Sequence, residues 1–427
     1  MSYLSIKGLS GKATIGGTVK IVGAKNAALK AIAASILFRS PLLLDNVPDI
    51  EDVSRMLEII RTMGGSVSVA SHKATIDAST LSSTTLTPEI SKRLRSSIVL
   101  TGPMLARHGL VRFPHPGGCV IGERPIDLFV EGFIKMGAKV KKVGKFYHVA
   151  APKGGLRGGE LFFRTQSVTG TETFMMAAVL SRGVTTIKNA AMEPEIVWLA
   201  DLLNASGAKI AGAGTPTVTI TGVQLLDAKK KVFTVIPDRI EAGSFLILGA
   251  LAAKKLTVTN VIPEHLESLT ELLTYTGTKI STTKNSITVS ANKKKGGLCA
   301  VNIRTHEYPG FPTDLQAPMV VYLTQAEGES LMFETIFEGR LNFTESLNRM
   351  GANISMMDPH RVIIRGSTTI KGSHLESPDL RAGLAFVIAA IIAKGESKIY
   401  NVYNIDRGYE RIEERLRSIG VCIERKE

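Results

Sequence analysis

Cys119 stands in the run from His115 to Leu128, HPGGCVIGERPIDL, with Gly117, Gly118 and Gly122 around it and Arg124 five residues further on. A thiol close to cations has a lowered pKa and becomes a usable nucleophile or proton donor. The three glycines leave little core for a small apolar side chain to fill. Cys119 is therefore read as chemical, and the segment 115–125 as a catalytic loop. Cys299 and Cys422 lie beside or within strands and are expected to be small buried hydrophobes. A second group of candidates sits where strands enter helices: Gly23-Ala24-Lys25-Asn26, Ser167-Val168-Thr169-Gly170, Pro237-Asp238-Arg239, Pro312-Thr313-Asp314 and Pro378-Asp379-Leu380-Arg381. A helix N-terminus offers N–H groups without intrahelical partners and a partial positive charge, so it attracts anions. Capping by Ser, Thr, Asp or Asn explains any one junction alone. Lys, Arg or Asp recurring at one position of the pattern points instead to a phosphate trap.

These residues must be held by recurring elements. Gly64, Gly137, Gly207, Gly277, Gly351 and Gly420 are spaced by 73, 70, 70, 74 and 69 residues. Helical spacing precedes them, as in Val53, Met56, Leu57, Ile60, in Ile126, Phe129, Phe133, Met136 and in Tyr409, Ile412, Leu416, Ile419. A glycine there suits the position just past a helix, where the backbone turns left-handed. Hairpins are expected next, at 66–70 with 75–78, 279–283 with 286–290 and 353–357 with 361–365. Each unit also holds a more apolar helix, near 24–37, 94–106, 170–180, 242–253, 316–325 and 382–393. Apolar residues on nearly every face of these helices predict burial. The sixth unit ends without a second hairpin strand, and Tyr3-Leu4-Ser5-Ile6-Lys7-Gly8 resembles the missing one. Six units grouped three and three predict two α/β domains. One spans 23–236 and carries the catalytic loop. The other joins 1–22 to 237–427 and is completed by the N-terminal strands, with Pro237 and a second crossing near Gly23 as the hinge.

Of the 427 residues, 44% are hydrophobic and 21% charged, which argues for two or three folded domains and against a disordered chain. The 52 basic residues minus 38 acidic ones give +14, a surplus that favours anionic partners. Aromatics make up only 6% with one Trp, which argues against platforms for stacking bases. The longest uncharged apolar stretches, 242–253 and 382–393, have 12 residues each. A membrane span needs about 20. The N-terminus has no apolar core of a signal peptide, and three distant cysteines frame no disulfide scaffold. A cytoplasmic protein without a membrane span is expected. The P-loop, the dinucleotide fingerprint and the nucleophile elbow are all missing, and neither histidines nor cysteines fall at metal-ligand spacing.

Seven motifs run along the chain: GAKNAAL at 23–29, PGGCVIGERPIDL at 116–128, AAMEPEI at 190–196, PDRIEAGSF at 237–245, FPTDLQA at 311–317, PDLRA at 378–382 and IDRGYERIE at 405–413. End to end, the sequence resembles the UDP-N-acetylglucosamine 1-carboxyvinyltransferases of the enolpyruvyl transferase family. The resemblance implies two inside-out, barrel-like α/β domains, each of three helix-helix-hairpin units, closing over substrates. It implies transfer of the enolpyruvyl group of phosphoenolpyruvate to the 3′-hydroxyl of UDP-N-acetylglucosamine with release of phosphate. That reaction is the first committed step of peptidoglycan synthesis and a target of thiol-alkylating epoxides such as fosfomycin. The partners implied are these two small molecules, with no cofactor, no metal and no nucleic acid. A monomer is compatible, and the oligomeric state is left open.

The roles follow motif by motif. Lys25 and Asn26 would contact phosphoenolpyruvate, with Lys25 beside its phosphate. Cys119 would be the proton donor, able to form a covalent adduct, and Arg124 would contact the phosphate. Arg95, the segment Arg124-Pro125-Ile126-Asp127-Leu128, Ser167 and Val168 would hold the nucleotide sugar, which Ile336 would touch. Asp314 would take the proton from the sugar hydroxyl. Arg340, Arg381 and Arg407 would hold the donor's phosphate and carboxylate, with Asp379 in the same substrate-binding set. Adding an alcohol to an enol ether needs an acid at the methylene carbon and a base at the hydroxyl. A donor with about three negative charges needs fixed guanidiniums to offset its desolvation.

The sequence departs from its relatives at four positions. Thr165 stands where they commonly have lysine, Lys30 where proline, Met192 where arginine and Gly339 where asparagine. None removes a group that the chemistry needs. The rival readings are a shikimate-pathway enolpyruvyl transferase, whose first-helix lysine-serine signature GAKNAAL does not match, and a catalytically silent UDP-sugar-binding paralogue.

Overall fold

The computed structural model describes residues 2–115, 126–292 and 297–427, apart from the side chains of residues 90, 92 and 93. Two kinds of helix follow from two kinds of apolar pattern. Lys25–Ala34, Val168–Val179, Arg239–Ala252, Gln316–Leu323 and Leu380–Ile392 are apolar around most of their circumference. A helix of that kind is stable only when covered on every side. Every residue from Ile240 to Ala252 is indeed buried. The others bury one stripe, as Glu51–Thr62 does with Val53, Met56, Leu57 and Ile60. The six glycines expected just past the striped helices all take φ between +89° and +109°.

The strands form six open sheets, and none closes into a barrel among the described residues. In five of them one edge strand runs parallel to its neighbour, and the remaining pairings are antiparallel. Ile303–Arg304 beside Gly328–Phe333, followed by Arg361–Gly366 and Ile354–Asp358, is one example. The sixth sheet has three strands, with Leu110–Pro114 next to Phe146–Ala150 and Lys139–Val143. A single parallel bridge, Thr85 to Arg112, stands where the others have their parallel edge strand. Strand Tyr3–Lys7 lies between Glu396–Tyr400 and Cys422–Lys426, antiparallel to both.

The described chain separates into two compact units. One holds Gly23 to Ile236; the other joins the residues up to Val22 to those from Pro237 on. Each has a core of its own, from Ala24 to Val235 in the first and from Leu4 to Ile423 in the second. Together these elements make a mixed α/β fold.

Two expectations need correction. Tyr409 does not belong to the last striped helix, which is Ile412–Ser418. Arg411 takes a left-handed φ of +38° and separates the two, although Tyr409 is still buried. Cys299 and Cys422 are exposed, not buried. In strand Cys422–Lys426 it is Ile423 that points inward, and the pleat turns its neighbour Cys422 to the outside.

One core also contains charge. Lys30 Nζ lies 3.3 Å from a carboxylate oxygen of Glu172, and both side chains are buried. Burial pushes the Glu172 carboxyl up to about 8 against the pull of Lys30, with Glu195 and Glu193 adding to the rise. A carboxyl raised from 4.5 to about 8 keeps in the folded state a proton that the unfolded chain gives up. Stability should therefore fall as pH rises through that window. Glu172→Gln should flatten this dependence, so that its melting temperature gains on the wild type as pH goes from 5 to 8. Parallel curves for the two proteins would put the dependence elsewhere. A second prediction concerns Gly420, at φ +95° with nothing within 4 Å of where a Cβ would stand. Gly420→Ala should cost about 1 kcal/mol from backbone strain alone. Its denaturant midpoint should drop with an unchanged slope; no shift would show that the backbone there relaxes freely.

Candidate active site

In the discontinuous unit three charged side chains from distant segments meet. Asp314 sits in the single 3-10 turn Thr313–Leu315, which no side chain caps and which leads into helix Gln316–Leu323. Arg340 Nη2 donates to Asp314 Oδ1 at 2.7 Å, and Arg381 Nη2 donates to Oδ2 at 2.9 Å. The carboxylate is thus shared end-on between two guanidiniums, and it keeps 27% of its side-chain surface open while theirs keep 5% and 6%. Burial pushes the Asp314 carboxyl up, but Arg381 and Arg340 together outweigh that and hold it well below the usual carboxylate range. Arg381 in turn is held charged, because Asp314 and then Tyr409 and Asp238 overcome the effect of its own burial.

Each guanidinium is also tied at its other terminal nitrogen. Arg340 Nη1 donates to Thr313 Oγ1 at 2.6 Å, and Thr313 Oγ1 donates to Glu334 Oε2 at 2.8 Å. Glu334 Oε1 accepts from the backbone N–H groups of Ile336 and Phe337 at 2.8 and 3.1 Å, which shapes the turn that presents Ile336. Arg381 Nη1 donates to Tyr409 Oη at 3.0 Å. Asp379 caps helix Leu380–Ile392, its Oδ1 accepting from the N–H groups of Arg381 and Ala382. Arg407 closes the short helix Tyr403–Asp406. An ionised carboxylate among fixed guanidiniums can accept a proton beside a bound anion.

The continuous unit holds the other candidates. Lys25 and Asn26 open helix Lys25–Ala34, which has no side-chain cap. Lys25 Nζ is 2.6 Å from Asp52 Oδ2. Asp52 arises from the first turn of helix Glu51–Thr62. Ser167 caps helix Val168–Val179, its Oγ accepting from Gly170 N at 3.0 Å. A Cβ on Gly170 would stand 2.6 Å from Leu128 Cδ2, so a larger residue there would have to displace the Leu128 side chain. Leu128, in the first turn of helix Asp127–Lys135, thus lies against the first turn of helix Val168–Val179. Arg95 begins the 3-10 turn Arg95–Leu100, which packs against both Lys25–Ala34 and Val168–Val179.

Of the strand-to-helix junctions, those at Ser167, Asp238 and Asp379 carry ordinary side-chain caps, while those leading to Lys25 and Asp314 carry none. Cys119, Arg124 and Pro125 lie outside the described residues. Among the four departures, Lys30 forms the buried pair with Glu172, Thr165 is exposed, Met192 is half-buried and Gly339 takes φ +71°. Sequence reasoning missed Asp52, Glu334 and the partnership of Tyr409; it placed Thr313 at a candidate junction without its link to Arg340. Asp52 and Glu334 carried no signal, since the Lys25 and Thr313 side chains they meet are distant in the chain.

Comparison with known proteins identifies the family. The family model described as EPSP synthase (3-phosphoshikimate 1-carboxyvinyltransferase) matches residues 9–416. A protein of Desulfatibacillum aliphaticivorans named UDP-N-acetylglucosamine 1-carboxyvinyltransferase is 42% identical over 417 residues, covering 98% of either chain. One of the same name from Aliarcobacter butzleri is 42% identical over 427 residues, covering 100% of this chain and 99% of its own. Among solved structures, the enolpyruvyl transferase NikO from Streptomyces tendae shares the fold with a TM-score of 0.87 at 22% identity, covering 100% of this chain and 99% of its own. EPSP synthase from Acinetobacter baumannii shares it with a TM-score of 0.73 at 17% identity, covering 100% of both chains. The chain belongs to the EPSP synthase family of enolpyruvyl transferases.

Proposed function

We propose that this chain transfers the enolpyruvyl group of phosphoenolpyruvate to the 3′-hydroxyl of UDP-N-acetylglucosamine, the committing step of peptidoglycan synthesis. Relatives 42% identical over nearly their whole length bear the name of that reaction. The solved EPSP synthases are only 17% identical. The observation that carries the chemistry is the carboxylate of Asp314 held between Arg340 and Arg381. We further read the six sheets as marking six copies of one helix-helix-hairpin unit, arranged as two inside-out domains of three.

The reaction runs by addition and elimination. An acid, which the PGGC motif assigns to Cys119, protonates the methylene carbon of the donor, and the adjacent carbon becomes oxocarbenium-like. Asp314 takes the proton of the sugar hydroxyl as its oxygen attacks that carbon, giving a tetrahedral ketal. The ketal then loses phosphate, and the new methyl group gives up a proton, which restores the double bond. Lys25, Asn26 and Arg124 hold the donor's phosphate end. Arg340, Arg381 and Arg407 bind its phosphate and carboxylate, since a guanidinium fork matches two oxygens at once. Arg95, the residues Pro125 to Leu128, Ser167, Val168 and Ile336 position the nucleotide sugar, and Asp379 completes the substrate-binding set.

Phosphate release from phosphoenolpyruvate should depend on UDP-N-acetylglucosamine and not on shikimate 3-phosphate. The reverse preference would move the chain to the shikimate reaction, and binding without turnover would make it a silent paralogue. Asp314→Asn keeps the shape of the side chain but removes the base, and kcat should fall by about two orders of magnitude or more. Near-normal turnover in that variant would place the base elsewhere.

A further inference from the structure

The guanidinium of Arg381 is almost wholly buried, and a guanidinium only donates hydrogen bonds. The Tyr409 oxygen, 3.0 Å from Arg381 Nη1, is therefore an acceptor, and its own proton must go elsewhere. The Arg381 guanidinium is thus held on two sides, by the Asp314 carboxylate and by the buried Tyr409 oxygen, and buried contacts of this kind hold their members in fixed orientation. Burial raises the Tyr409 hydroxyl above its ordinary value despite the opposing pull of Arg381, so the phenol keeps its proton at neutral pH.

The segment that carries Tyr409 is fastened at both ends. Arg425 makes two hydrogen bonds to Asp406 at 2.7 and 2.8 Å and two to Glu413 at 2.7 and 2.9 Å. We infer that Tyr409 is a positioning residue for the donor site: its hydroxyl takes one terminal nitrogen of Arg381 and keeps that guanidinium in single-point contact with Asp314, leaving N–H groups for the donor's anion. The inference rests on the activity proposed above. Without the hydroxyl, Arg381 can swing to close on both oxygens of Asp314, the stronger fork geometry, and those N–H groups are withdrawn.

The test is Tyr409→Phe in the full chain, with steady-state kinetics for both substrates. KM for phosphoenolpyruvate should rise about tenfold or more, the scale of one hydrogen bond to a charged group. KM for UDP-N-acetylglucosamine should stay within about twofold, and the melting temperature should hardly move. Arg425→Gln, which loosens the segment that carries Tyr409 and leaves the phenol in place, should show the same pattern more weakly, and it carries the test if the phenylalanine variant does not fold. An unchanged donor KM overturns the inference, as does an equal rise for both substrates with a lowered melting temperature. Should the wild-type protein prove inactive, the proposed reaction fails, and the inference is decided by calorimetric titration with phosphoenolpyruvate. A Kd about tenfold weaker in Tyr409→Phe than in wild type supports it, and equal values overturn it.

Discussion

Two arginines can be buried side by side only if a carboxylate neutralises them, and Asp314 meets that need for Arg340 and Arg381. The partners stand 26 and 67 residues away from it in the chain. Much of the surrounding structure follows from keeping those three groups in register. The uncapped turn at Thr313–Leu315 presents the carboxylate. The Asp379 cap fixes where Arg381 enters its helix. Glu334 ties Thr313 to the turn at Ile336. Hydroxyls hold the far nitrogens of both guanidiniums, so neither arginine collapses onto the acid. The same electrostatics that make the cluster stable keep Asp314 ionised but weaken it as a base, so the proposed proton transfer calls for the guanidiniums to turn part of their charge to the donor's anion.

What could be read from the sequence was local. The six glycines announced left-handed helix ends because a Cβ is strained at positive φ, and each takes that conformation. Helices apolar on every face announced their own burial, as Ile240–Ala252 shows. The orphan strand at Tyr3 was legible because its alternation matched a hairpin that lacked a partner, and it pairs with Cys422–Lys426. The candidate residues at 314, 340 and 381 were legible through motifs, but their sharing of one carboxylate was not. Nothing local says which distant guanidinium a carboxylate will meet.

The misreadings are instructive in the same way. Cys422 was placed on the wrong face because strand periodicity is two, so a one-residue error in phase reverses inside and outside. Tyr409 fitted the helical stripe by spacing, yet Arg411 interrupts the helix, and the freed segment turns the phenol toward Arg381. The Lys30–Glu172 pair was invisible because an all-apolar helix gives no sign that one position is charged on its buried side.

Strand Tyr3–Lys7 sits between Glu396–Tyr400 and Cys422–Lys426, both far along the chain from it, which has consequences during synthesis. Tyr3–Lys7 leaves the ribosome well before either partner and must wait, unpaired, while the residues between them are made. The intervening Gly23–Ile236 unit shortens that wait in space if not in time. Its ends are joined by the hydrogen bond from Ala24 N to the Ile236 carbonyl at 2.7 Å, and Asp238 N reaches the Val22 carbonyl at 2.9 Å. Once folded, that unit brings the two flanks of the waiting unit together, so a loop of more than two hundred residues closes as if it were a few residues long. Vectorial folding would then proceed from the inserted unit outward, with the amino-terminal strand recruited last.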